Sequence, residues 1–184
     1  MSYLVNPYMV EAESCLLWSY TSGTLDNSQN TNTYGWGMGI DSGNAFIGKT
    51  VTQFSLFLKC ANTGVSQSNF SVGVWSSGNN SKTASTAFTS PIGITNFNQM
   101  TGTLTEYEFT GSHTLALNDI IGIIFPTSVS YVNHIGLANG AGCTGQPANQ
   151  SFQLWAQSHC ATVGCFANYG TTNNCNSNVY QCAP

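Results

Sequence analysis

Residues 104–126 read LTEYEFTGSHTLALNDIIGIIFP, and the two halves of this stretch follow different rules. In the first half Tyr107 and Phe109 fall on one side of a period of two, with Glu106, Glu108 and Thr110 on the other. That alternation marks a strand with one buried and one wet face. Gly111-Ser112 reads as a short polar connection, and Asn118-Asp119 as a turn. The second half, Ile120-Ile121-Gly122-Ile123-Ile124-Phe125, is nearly all apolar and rich in β-branched side chains, and Pro126 closes it. Such a run predicts a central strand covered on both faces.

Outward from this core the same signals recur. Phe54, Leu56, Leu58 and Cys60 alternate with Ser55, Phe57 and Lys59, and Phe70, Val72 and Val74 alternate with Ser71, Gly73 and Trp75. Cys15–Tyr20, Ser130–Leu137 and Phe152–Trp155 supply further strand candidates, with Pro91–Phe97 a weaker one. Tyr34–Gly39, YGWGMG, sets large residues between glycines, as at a strand edge where another chain segment comes close to the backbone. Residues 21–33, 76–82 and 139–150 are polar, Gly- and Asn-rich loops. No segment keeps a helical period beyond two turns. Eight to ten short strands predict an all-β fold: an antiparallel β-sandwich of jelly-roll type. The predicted organisation is an N-terminal arm over 1–13, the sandwich over 14–158, and a disulfide-rich, loop-like C-terminal segment over 159–184 packed on the same domain.

The chain has 184 residues, enough for one domain with a proper core. Charged residues make up 5% of it, against about 25% in an ordinary soluble domain. There are three lysines, no arginine and seven acids, for a net charge of -4. A chain so poor in cations excludes nucleic acid as a partner and does not suit an anionic membrane surface. No run approaches the ~18 apolar residues of a membrane span. A hydrated but nearly uncharged surface favours association, and so suits a subunit that packs against copies of itself.

Seven cysteines, Cys15, Cys60, Cys143, Cys160, Cys165, Cys175 and Cys182, crowd toward the end of the chain, where apolar patterning is weakest. Disulfides stabilise segments that bury little apolar surface, so this placement points to an oxidising, extracellular setting. Zinc is disfavoured, since there is no Cys-x-x-Cys and Cys160-x4-Cys165 lacks a second pair at ligand spacing. The odd count leaves one thiol free or paired with another copy. MSYLVNPYMVEAESC has no basic n-region, and Pro7 and Glu11 interrupt its apolar character, so no signal peptide is read there. An oxidised chain without such a signal fits loss of a leader or release inside a virus particle.

The pattern VTQFSLFLK, then FSVGVW, then LTEYEFTGSHTLALNDIIGIIF, over about Val51–Phe125, resembles jelly-roll domains of virion and extracellular surface proteins. Carbohydrate-binding modules, tail-fibre and spike domains and archaeal surface proteins share this arrangement. The resemblance implies a fold that serves many functions, and activity has to be argued from particular residues.

Five groups of residues bear on activity. Glu106 and Glu108, two apart on one strand face, would stand about 6 to 7 Å apart along it, near the spacing of a glycosidase acid and its partner. Jelly-roll glycosidases with carboxylates on alternate strand residues resemble this, but Thr110 stands where a third acid is usual. Trp36 and Trp75, among four tryptophans, are candidates for a glycan platform or an interface anchor. Trp75 lies opposite the Phe70-Val72-Val74 face and next to a loop, so it is the one expected at the surface. His113, His134 and His159 are scattered, and no Ser or Cys sits in a nucleophile motif. Asn69, Asn79 and Asn149 begin glycosylation sequons, with Asn79 in the most loop-like context. Asp26-Asn27-Ser28 lacks the spacing of a calcium loop. No metal site and no cofactor is expected. The reading is a non-enzymatic structural or host-facing subunit of an extracellular assembly. A virion surface protein (capsid, decoration, spike or tail tip) or a self-assembling surface filament fits best. Its partners would be copies of itself or other subunits of that assembly, with host surface glycans a further candidate ligand. The alternatives are a secreted carbohydrate-binding module or adhesin and, last, a glycoside hydrolase.

Overall fold

The computed structural model describes residues 14–20, 24–26, 33–60, 69–96, 99–103, 105–124, 135–139, 143–144, 150–156, 165–170 and 177–182. The predicted arm lies outside these. The strands are β1 (Ser14–Tyr20), β2 (Thr24–Asp26), β3 (Thr33–Ile40), β4 (Thr50–Cys60), β5 (Ser71–Trp75), β6 (Thr86–Ala87) and β7 (Thr105–Thr114). They continue with β8 (Ile120–Ile124), β9 (Ile135–Asn139), β10 (Cys143–Thr144), β11 (Gln150–Ala156), β12 (Cys165–Gly170) and β13 (Ser177–Cys182). The described part is all-β and every ladder in it is antiparallel.

Two sheets form. One runs β12-β11-β3-β8-β5-β6; the other runs β10-β1-β13-β4-β9-β2, with β7 also paired to β4. Within the second sheet no two neighbours are consecutive in sequence. The chain therefore passes from sheet to sheet, as at β3 to β4, β4 to β5, β6 to β7 and β7 to β8.

β4 is long enough to serve three partners. Along one edge it pairs with β7, from Thr50↔Thr114 to Leu58↔Thr105. It also pairs with β13 over Gln53–Leu56 and with β9 over Leu58–Cys60. Its alternation puts Phe54, Leu56 and Leu58 in the core, as the sequence predicts. The pairing slips between Gln53↔Thr110 and Val51↔His113. Across that slip Val51, on the wrong step of the alternation, also reaches the core.

One buried cluster draws on both sheets: Met38, Ile40, Val72, Val74, Ile121 and Ile123 from the first, Val51, Phe54, Leu56, Leu58, Tyr107 and Phe109 from the second. Each such side chain contributes about 1.5–3 kcal/mol by leaving water. The Phe54 ring meets two others, with centroids 5.1 Å from Phe88 and 5.8 Å from Phe109. β8 is covered on both faces, as its apolar run predicts. Ile121 and Ile123 enter the main cluster, while Ile124 and Ile120 pack with Trp75 and Ala84 in a second one.

Several expectations are corrected. Gly111-Ser112 is no connection: β7 runs straight through it, and the turn is at 115–119, where Asn118 takes φ 66°. A Cβ on Gly111 would lie 2.7 Å from Cγ of Phe88, so the glycine is there to receive a ring. β3 is an interior strand between β11 and β8 rather than an edge, although the close approach is real. A Cβ on Gly35 would collide with the Ile123 carbonyl. The 21–33 and 139–150 loops contain β2 and β10. The C-terminal segment is not loop-like, because β12 extends the first sheet and β13 lies inside the second, between β1 and β4. Backbone hydrogen bonds of a ladder do not require an apolar pattern, so its weak hydrophobicity misleads.

Candidate functional site

The alternation of β7 places Glu106 and Glu108 together on its exposed face, opposite Tyr107 and Phe109. Sequence reasoning finds this face correctly. The neighbouring strand then gives Glu106 a specific role. Ser55, 0% exposed on β4, donates its hydroxyl to Oε1 of Glu106 at 2.5 Å. In the ladder Ser55 faces Glu108 and Phe57 faces Glu106, so the bond runs diagonally across the pair. A hydrogen bond to a charged acceptor contributes about 1.5–3 kcal/mol, less where water competes. Neither acid lines the described cleft.

Trp75 is not at the surface. It is 1% exposed and packs with Ala84 and Ile124, and its Nε1–H donates to the Ser81 carbonyl at 2.9 Å. The expectation of exposure assumed that the face opposite Phe70, Val72 and Val74 is wet. The chain instead returns over that face after β5, and Ala84 packs there. Trp36 occupies an interior position of the first sheet, between Leu154 on β11 and Ile123 on β8.

His113 carries a constellation that the sequence did not reveal. Its Nδ1 is 2.8 Å from Oγ1 of Thr86, and its Nε2 is 2.8 Å from Oδ2 of Asp119. Asp119, 2% exposed, also accepts from the Ala116 amide at 2.7 Å. The order hydroxyl, imidazole, carboxylate is that of a nucleophile, base and orienter. It links β6 in the first sheet to β7 in the second and to the turn leading into β8. One signal was available: His113 falls on the same step as Tyr107 and Phe109, and a histidine on a buried face needs partners.

The sequon residues differ. Asn69 is exposed. Asn79 is held by its own loop: Nδ2 donates to the Thr83 carbonyl at 3.2 Å and Ser85 Oγ at 2.7 Å, while Oδ1 accepts from the Ser81 amide at 2.8 Å. A glycan on Nδ2 would replace one of its two hydrogens and so remove one of those donations. Asn149, His134, His159, Cys160 and Cys175 lie outside the described residues. Cys15, Cys60, Cys143, Cys165 and Cys182 stand on β1, β4, β10, β12 and β13. In the described ladders they face Gln181, Ile135, Tyr20, Ala156 and Ser14, so no two are cross-strand partners.

Among the described residues, no group of three or more His, Cys, Asp and Glu is placed to hold a metal ion. The principal described cleft, about 720 Å³, opens beside the start of β5 and the 88–95 segment. Phe70, Val72, Phe88, Ile94, Phe109 and Ile124 contribute to its walls. No family model, no curated protein and no solved structure matches this chain.

Proposed function

We propose that this chain is a non-enzymatic structural subunit of an extracellular assembly, a virion surface protein or a surface filament, built as a jelly-roll β-sandwich. The observation that carries the reading is the charge content: ten charged residues in 184, none of them arginine, so that little repulsion keeps copies apart. The fold supports it. Strands that alternate between two antiparallel sheets around one shared cluster are what a jelly roll requires. The cysteines would act as disulfides, with the odd one free or joined to another copy.

Two observations favour this reading over its competitors. Glycan binding through Trp75 needs a ring at the surface, and this ring is buried. Hydrolysis would need Glu106 and Glu108 beside a substrate cleft, and neither lines the described one. The test is light scattering after size exclusion, on native protein with and without a reductant. A large species, or a dimer that reductant splits, is the expected result. A clean monomer of 19.6 kDa under both conditions would remove self-assembly by this chain alone.

A further inference from the structure

The cleft beside β5 is partly open to solvent, and its floor reaches the hydrophobic core. Phe109, Val72 and Ile124 are core residues, yet each contributes to its wall. A cavity of about 720 Å³ lies within the roughly 300–1,000 Å³ range of small-molecule sites. Its rim is polar and almost uncharged, with Asn69, Thr83 and Thr95. Lys82, at the exposed rim, already has a partner.

One wall residue has an unmet need. Ser90 Oγ is buried and has no hydrogen-bond partner, alone among the described buried side-chain polar atoms. Leaving such a group unsatisfied costs about 1–3 kcal/mol. A hydroxyl donates one hydrogen bond and accepts others, and a serine turns about a single χ angle. A ligand oxygen in the cleft would therefore draw it round and satisfy it.

We infer that this cleft binds a neutral, mainly apolar small molecule carrying one hydroxyl or carbonyl, with Ser90 as the group that recognises the oxygen. Sugars fit poorly, because their many hydroxyls would be stripped of water against phenylalanine and isoleucine. A carboxylate would meet one cation, Lys82 at the rim, which already has a partner. The site is independent of the assembly reading, so either can fail without the other.

The probe pair is 1-naphthol and naphthalene, which share an apolar body and differ by one hydroxyl. Titrated into the whole protein, 1-naphthol is expected to bind at one site about tenfold more tightly than naphthalene. Ser90→Ala should bring the two affinities together. Ala87→Trp and Thr95→Trp, at two exposed lining positions, should each abolish binding while leaving the melting temperature near that of the parent. Equal affinities in the parent protein, no binding of either probe, or binding that survives both tryptophans would overturn the proposal. So would self-association abolished by Ala87→Trp with naphthol still bound, since that would assign the cleft to a second copy.

Discussion

Replacing Gly111 with alanine adds one methyl group at the place where the chain most resembles a turn and is not one. Gly111 does not adopt a left-handed φ, so its backbone accepts alanine without strain. Were the residue part of an open polar connection, the substitution would stabilise by about 0.4–1 kcal/mol, because alanine loses less freedom on folding. The structure reverses the sign. The new Cβ would stand 2.7, 2.8 and 2.9 Å from Cγ, Cδ2 and Cδ1 of Phe88. These atoms are at the root of the ring, and the ring also packs against Phe54, with centroids 5.1 Å apart. Overpacking of this kind costs about 1–3 kcal/mol, so the net effect is a loss of roughly 1–2 kcal/mol. In a chain of this length that lowers the melting temperature by roughly 2–8 °C. Urea denaturation in the absence of reductant is the assay, run as a cycle with Phe88→Ala. Without the ring the clash is gone, and Gly111→Ala should become neutral or mildly stabilising, a coupling of about 1–3 kcal/mol. A Gly111→Ala protein as stable as the parent, or a cost unchanged by Phe88→Ala, would refute the placement of β7 against Phe88.

Two further substitutions test the parts of the site that the sequence misplaces. Trp75→Ala should cost about 3–5 kcal/mol and Trp75→Phe about 1 kcal/mol, for the lost bond to Ser81, both read by urea denaturation. An alanine variant within about 0.5 kcal/mol of the parent would mean an exposed ring. Asp119→Ala removes the acceptor shared by His113 and the Ala116 amide and should cost about 2–4 kcal/mol. Asp119→Asn, which keeps one acceptor oxygen, should cost less. Hydrogen exchange at Ala116 follows the same order, and an Asp119→Ala protein with unchanged exchange there would contradict the tie.

The parts of the fold legible in the sequence are those set by neighbours along the chain. Tyr107 and Phe109 against Glu106 and Glu108, the all-apolar β8 and the turn at Asn118 each follow from a local period or a local backbone preference. What escaped depends on a second segment. Gly111 looks like a turn residue until Phe88 is known to lie on it. Trp75 looks exposed until Ala84 is placed over its face, although Ile120 and Ile124, its neighbours in the second cluster, already argued for a cover there. The Thr86–His113–Asp119 chain joins residues from two sheets, and no spacing announces it. The candidate acids were found because one strand carries both. Their tie to Ser55 was not, because it crosses to β4.

Sedimentation velocity over a wide range of protein concentration, at low and at high salt, tests the assembly reading most directly. Self-assembly predicts a mass above 19.6 kDa that grows with concentration and is nearly the same at both salts, since 5% charged residues leave little for salt to screen. A monomer at every concentration, or association that high salt dissolves, would contradict it.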